Sequence, residues 1–502
     1  MSRCRLVLMF LVALPLWIFP QNRPFPQNRN FSGCSKPNHV TQGSMDSAII
    51  TYYKKWKKNY LRKSEDEKIG KGFYVAMTGT GGSGTEVTTS EAHGYGMIIF
   101  SLMAGFDDSA KICFDGMVHL FDLHRSTINT NLMSWIIDPV NGNSDGATDG
   151  DMDIAYALLL ADNQWGSDGD INYGAKADSM LSRGIKGGDV RSSGSKRTKL
   201  GDWDDDPYDS RSSDWITDHF HTYYQYTKDP FWLQAADTVY SLIEQVSSHY
   251  SPTTGLMPDF IVGRIPEPAD PNFLEDITDG DYAWNACRFP WRIAMDYAHY
   301  GTAEAKRSLN KILTWLKSTT NGNPSQIYAG YHLDGSQGRD ADGVIDYPDM
   351  AFTAPFIAAC VVDATHQEFL NAGWDIIKDP QGDYFGDSIG LLCLLFISGN
   401  WWKPEWPTAV ATPPQATAKS GIVLSAVIRN VHARVSCRLP AAGSVTVTVF
   451  DCSGTMIQEV REEKRKGFST IDMKLPRVQN GMYVIKTAAP GFTKSIIVNK
   501  VN

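Results

Sequence analysis

The chain has 502 residues, more than one ordinary domain of roughly 100–200 residues holds, so two or three domains are expected. Hydrophobic content of 42% and charged content of 21% exclude wholesale disorder and fibrous repeats. A net charge of −9 without basic clusters argues against nucleic acid as a partner, because phosphate contacts need Lys and Arg. The 8 Cys include no CxxC pair, which speaks against zinc fingers and thioredoxin-like redox motifs.

In chain order, Ser2-Arg-Cys-Arg5 precedes the apolar run Leu6–Phe19. A basic start and a short apolar stretch fit a secretory signal over residues 1–20. The run is short of the ~20 residues a membrane span needs. From about 44 to 400 the apolar period is helical. Leu309, Ile312, Leu313 and Leu316, for example, fall on one helix face. A dozen such segments are expected, over 44–62, 90–105, 109–123, 150–163, 169–184, 213–227, 229–249, 288–299, 302–318, 348–363, 366–378 and 386–398. Sustained strand alternation is not expected there. Long loops near 78–90, 138–149, 184–213, 250–285 and 320–347 are suited to building a binding site. Residues 407–420, rich in Pro, Ala and Thr, read as a linker. Alternating runs at 445–450, 456–460, 470–475, 483–487 and 495–498 then predict a small β-sandwich-like domain over 421–502.

Three segments combine acids with Gly and aromatics. In the first, 88–97, Ser90 is a candidate N-cap, which puts Glu91 in the first helical turn. Glu91 there can simply complement the helix dipole. Gly94, Tyr95 and Gly96, however, leave room for close approach by another element. The second is Ala147-Thr-Asp-Gly-Asp-Met-Asp-Ile-Ala155, with Thr148 or Asp149 as cap. Its acids lack the ligand pattern and final Glu of a calcium loop. The third, 272–297, joins an acid-dense loop to a helix carrying Arg288, Trp291 and Arg292. Glycoside hydrolysis needs two carboxyl groups flanking a sugar bond, one to protonate the leaving oxygen and one to activate water or attack. No GxSxG, HExxH or Walker loop competes, and Gly79–Gly84 lacks the Gly-Lys-Ser/Thr ending.

Several motifs carry a resemblance: SEAHGYGM (90–97), ATDGDMDIAYALLLA (147–161), SRSSDWITDHF (210–220), NACRFPWRIAMDY (285–297), NPSQIYAGYHLDG (323–335) and SGNWW (398–402). From about 24 to 402 the chain resembles glycoside hydrolase family 8. The resemblance implies an (α/α)6 barrel over 21–406 that cleaves internal β-1,4 bonds with inversion. It implies Glu91 as general acid and Asp149 as the residue that holds and distorts the central sugar. Where the family usually has an Asp base, this chain has Asn285, and an amide is no base. The resemblance is to a branch with the base in an inserted loop just upstream, which points to Glu275. Asp276, Asp279 and Asp281 are less favoured, and Asp296 is a rival farther along the helix. Tyr95, Trp135, Trp203 and Trp284 are candidates for sugar stacking, though each can equally be core. Arg288 is assigned to substrate binding.

The implied substrate is cellulose or mixed-linkage β-glucan. Chitosan, xylan and a non-catalytic glycan-binding role are the alternatives. No metal or cofactor is expected, and the protein is expected to act as a monomer. The C-terminal VTVFDCSGTMI and NGMYVIKT stretches resemble a type IX-like secretion sorting domain. Together with the N-terminal run, this implies a secreted or cell-surface bacterial protein that engages secretion machinery.

Overall fold

The computed structural model describes residues 21–77, 84–406, 424–429, 431–439, 442–451, 455–465, 467–476, 481–489 and 492–500. The expected export signal, most of the Gly-rich stretch at 79–84 and the 407–420 linker lie outside the described residues. The chain divides into two compact units, Met1–Trp406 and Pro407–Asn502.

The first unit has twelve described helices of seven residues or more. They are α1 (Gln42–Tyr60), α2 (Ser90–Met103), α3 (Ala110–Leu123), α4 (Thr148–Trp165), α5 (Tyr173–Ser179) and α6 (Thr217–Thr227). The series continues with α7 (Phe231–His249), α8 (Phe289–Tyr300), α9 (Ala303–Thr319), α10 (Met350–Ala359), α11 (Gln367–Ile377) and α12 (Tyr384–Ile397). Each corresponds to one expected segment.

The helices alternate in character. In α9 the apolar stripe Leu309, Ile312, Leu313, Leu316 is buried, while Glu304, Arg307 and Thr314 meet solvent. In α2, α4, α10 and α12 nearly every residue is buried, which is how a helix surrounded by other helices reads. The even-numbered helices pack in the order α2, α4, α6, α8, α10, α12 and back to α2, closing a ring. Each odd-numbered helix packs on an inner one. Six inner and six outer helices in this alternation form the (α/α)6 barrel that the resemblance implies.

Short strands, which sequence periodicity did not reveal, pin the loops. The helix expected to run to 62 ends at Tyr60 and the chain turns into β1 (Leu61–Ser64), paired with β2 (Gly72–Val75). β3 (Thr88–Thr89) pairs with β4 (Ile136–Ile137), and β5 (Ser210–Arg211), β6 (Phe260–Val262) and β7 (Glu267–Pro268) form a small antiparallel sheet. β8 (Arg339–Asp340) pairs with β9 (Gly343–Val344). Strands of two to four residues are too short to display a sustained period of two, so alternation does not announce them. No described helix is long and apolar enough to cross a membrane.

The second unit holds seven described strands: β10 (Leu424–Arg429), β11 (His432–Leu439), β12 (Gly443–Asp451), β13 (Met456–Lys464), β14 (Gly467–Lys474), β15 (Gly481–Ala489) and β16 (Phe492–Lys500). They form a three-stranded sheet, β10-β11-β14, and a four-stranded sheet, β13-β12-β15-β16, with every pairing antiparallel. Alternate residues Val445, Val447 and Val449 of β12 share one apolar cluster with Val435, Ile471 and Met473 of the other sheet. β10 and β11 were not among the five expected runs.

Candidate active site

The acid side of the site grows from the crossing of α2 and α4. Thr89, rather than Ser90, caps α2: its Oγ1 accepts from the Ala92 N–H at 3.1 Å. Glu91 is thereby the second helical residue, in the first turn as expected. A Cβ at Gly94 would sit 2.6 Å from Asp153 Cβ, and one at Gly150 would sit 2.2 Å from Ser90 Oγ. The small residues that mark these motifs let the two inner helices touch, and so bring Glu91 beside Asp149.

Neither Thr148 nor Asp149 caps α4. Ala147 holds the cap position, without a side-chain bond. The three acids of the 149–153 run diverge. Asp149 lines the cleft. Asp151 turns inward to accept from the Met133 N–H at 2.8 Å. Asp153 receives Arg292 through two bonds, at 2.9 and 2.5 Å, and His219 at 2.9 Å. Among the described residues no group of three His, Cys, Asp or Glu could hold a metal ion.

Arg288, in the 3-10 turn (Ala286–Arg288) that leads into α8, joins the parts. Its Nη1 donates to Glu91 Oε2 at 2.5 Å and to Asp149 Oδ2 at 2.6 Å. Its Nη2 donates to Asn285 Oδ1 at 2.9 Å. The Asn285 Nδ2 in turn donates to Glu275 Oε2 at 2.8 Å, and Arg211 Nη2 donates to Glu275 Oε1 at 3.1 Å. On the acid side, Tyr384 donates to Glu91 Oε1 at 3.0 Å. Asp383, capping α12 through the Gly386 N–H at 2.7 Å, puts Tyr384 in that helix's first position.

Electrostatics separates the two carboxyl groups that share Arg288. Burial pushes Glu91 up to about 7; Asp149 adds to this, while Arg288 and Tyr384 oppose it. Burial also pushes Asp149 up, but Arg288 and Arg211 outweigh it and hold the group below the usual carboxylate range. A pair pushed apart in this way supplies one proton donor and one permanent anion near neutrality.

Glu275 lies on the exposed loop after β7, with its side chain 47% exposed. The loop is shaped by Asp279, whose carboxylate accepts from the backbone N–H groups of Leu274, Glu275 and Asp276 at 2.7, 3.0 and 2.9 Å. Asp259 locks the neighbouring segment. Its Oδ1 accepts from Ala283 and Ala286 at 3.1 and 2.6 Å, and its carbonyl accepts from Ser212 at 3.0 Å. That ties the strand bearing Arg211 to the turn bearing Asn285 and Arg288. Burial pushes Asp259 up to about 7.

The rival acids occupy other positions. Asp281 accepts from His332 at 2.8 Å. Asp296 is fully buried, in contact with Tyr240 and facing His221, and does not line the cleft. Asp276 lines the cleft beside Glu275.

Glu91, Asp149, Arg211, Glu275, Asn285, Arg288 and Tyr384 line a cleft of about 950 Å³ that also carries Trp135, Trp203, Trp284 and Phe385. Trp203 and Trp284 are 37% and 39% exposed, so their rings are open to a flat ligand. Phe352 braces Trp284 edge-on at 5.0 Å. The Tyr95 expectation is corrected. Tyr95 is 0% exposed and packs on Trp291, with its hydroxyl 3.4 Å from Arg288 Nη1. It backs the guanidinium and cannot stack on a sugar. Residues that sequence reading did not single out are Arg211, Asp259 and Tyr384. Arg211 stands inside the quoted SRSSDW motif, which was the available signal; Asp259 and Tyr384 had none beyond nearby acids.

A family model for glycosyl hydrolases family 8 matches residues 36–399. The chain is 44% identical to an endoglucanase of Bacillus sp. (strain KSM-330) over 389 residues, covering 76% of this chain and 82% of that protein. It is 40% identical to a beta-glucanase of Niallia circulans, covering 76% of this chain and 91% of that protein. Among solved structures, the apo beta-1,3-1,4-glucanase from Paenibacillus sp. X4 superposes with a TM-score of 0.70 at 38% identity, covering 76% of this chain and 99% of that one.

Proposed function

The chain belongs to glycosyl hydrolase family 8, and we propose from it that this enzyme is an endo-glucanase cleaving internal β-1,4 bonds of cellulose or mixed-linkage β-glucan with inversion. The observation that carries the reading is the Arg288 node. One guanidinium holds a carboxyl that keeps its proton near neutrality beside one that does not. Glu91 donates its proton to the glycosidic oxygen as the bond to C1 breaks. Asp149, ionised, holds the central sugar ring through its hydroxyls. A water enters from the Glu275 side, gives its proton to the Glu275 carboxylate and bonds to C1 on the opposite face. Glu275 is favoured because its carboxylate is half-exposed in the cleft, whereas Asp296 is sealed in the barrel. Trp135, Trp203 and Trp284 serve as stacking platforms for sugars on either side.

The names of the relatives favour β-glucan over chitosan or xylan. Four soluble polysaccharides, carboxymethyl-cellulose, lichenan, chitosan and xylan, with sizing of the products, test this. Mid-chain cleavage of the first two is expected. Preferential cleavage of xylan or chitosan would overturn the substrate reading, and binding without cleavage of any of them would overturn the enzymatic one.

The same proposal extends to the second unit, read as a β-sandwich that directs export and plays no part in catalysis. Support comes from the two sheets with one apolar cluster and from the sorting-domain resemblance. The enzyme is taken to be a monomer that is secreted or held at the bacterial surface. Removing 407–502 should leave purified activity intact and abolish delivery in the native host. Loss of activity from the purified truncation would contradict this division.

A further inference from the structure

We infer that Asn285 and Arg211 are positioning residues that set the orientation of Glu275, an inference that rests on reading Glu275 as the base. A glutamate on an exposed loop has three rotatable bonds and, left alone, samples many rotamers. Here each carboxylate oxygen has its own donor from a different element: Asn285 Nδ2 at 2.8 Å on Oε2 and Arg211 Nη2 at 3.1 Å on Oε1. The two donors are themselves fixed. Arg211 is nearly buried, with its guanidinium over the Phe260 ring at 5.2 Å. Asn285 is buried, and its amide can face only one way, because Arg288 Nη2 donates to its Oδ1 and so turns the NH2 toward Glu275.

The result is an unbroken run, Glu91 to Arg288 to Asn285 to Glu275, at 2.5, 2.9 and 2.8 Å. It ties the proton donor on a barrel helix to the carboxylate on a loop and fixes the gap that a water must fill. An aspartate at 285 could accept from Arg288 but could not donate to Glu275. An amide is the side chain of that size that does both.

The test is a double-mutant cycle in the full-length enzyme. Asn285→Ala and Arg211→Gln should each lower kcat by roughly 10–10²-fold, the cost of a misplaced catalytic group, with KM nearly unchanged. Arg211→Lys should recover part of the loss. Glu275→Ala should be inactive and partly restored by azide, which needs no base. In that azide-driven reaction, adding Asn285→Ala or Arg211→Gln should cost clearly less than it does with Glu275 present, because there is no Glu275 left to position and only their effects on Arg288 and Asp149 remain. If the same loss recurs in the Glu275→Ala background, the two residues act on the acid or the fold, and the inference fails while the base reading stands. If Glu275→Ala is active without azide, the base reading fails and takes the inference with it. Should azide restore nothing, a crystal structure of Asn285→Ala decides. A Glu275 carboxylate turned away supports the inference; one unmoved overturns it.

Discussion

The two sides of the cleft are built by opposite means. Glu91 stands on an inner helix, pressed against α4 where Gly94 and Gly150 leave room for the Cβ atoms of Asp153 and Ser90, and its proton affinity is a product of burial. Glu275 stands on a loop outside the barrel, half in solvent, and its place is fixed by Asn285 and Arg211, which donate to its carboxylate, and by Asp279, which accepts from its backbone N–H. A proton donor needs a raised pKa, which a rigid apolar core supplies. A proton acceptor, the role proposed for Glu275, needs an open face for water and a fixed direction, which a tethered loop supplies. The same division predicts how each side fails.

Breaking the acid side should cost most. Glu91→Gln keeps the shape and the bond to Arg288 but has no proton to give, so hydrolysis should fall by roughly 10²–10⁴-fold with polysaccharide binding retained. Initial rates and affinity electrophoresis on one soluble glucan measure both.

Breaking the loop scaffold should cost less. Asp279→Ala leaves three N–H groups around Glu275 without their acceptor. A displacement of about 1 Å in a catalytic group is worth up to ~10²-fold in rate. The predicted signature is a drop in kcat together with a small fall in melting temperature, since Asp279 is buried and three N–H groups lose their acceptor.

The acid side also sets a pH limit. In the proposed role Glu91 must be protonated to act, and burial pushes its pKa up to about 7. The rate should therefore fall tenfold per pH unit above that point. The Tyr384 hydrogen bond favours the ionised form of Glu91, so Tyr384→Phe should move the alkaline limb upward. A limb that stays put or moves down would contradict the assignment.

The smallest effect sharpens the idea that the core side is governed by burial. Asp189 lies fully buried behind the cleft. Burial, with Asp202 and Asp214 adding to it and Lys199 opposing, raises its pKa well above the usual value. A carboxyl raised in the folded state binds its proton more tightly there than when unfolded. Stability from it is thus present at low pH and lost as pH rises through the folded pKa. Asp189→Asn should leave the melting temperature nearly unchanged near pH 4 and raise it at pH 8, which melting curves at the two pH values measure.

The barrel was legible because its signal is periodic and local. Leu309, Ile312, Leu313 and Leu316 announce an outer helix, and each is buried where the period puts it. Glu91 and Asp149 were legible through the resemblance of the motifs that carry them, SEAHGYGM and ATDGDMDIAYALLLA, while Gly94 and Gly96 signalled only a close approach. What pairs across distance was not. Arg211 and Glu275 are 64 positions apart and meet only because β5 and β6 pair and Asp259 ties that sheet to the 283–286 turn. Tyr95 misled because an aromatic beside an acid looks the same in sequence whether it faces sugar or Trp291.

In the proposed mechanism acid and base face each other across the scissile bond with one water between them, which requires a carboxyl separation of about 6.5–9.5 Å. Proton NMR of fresh product tests it most directly. Attack by a water held by Glu275 on the face opposite Glu91 predicts that the α anomer appears first and then mutarotates. A β anomer appearing first would mean a retaining enzyme and would contradict the opposed arrangement of the two carboxyl groups.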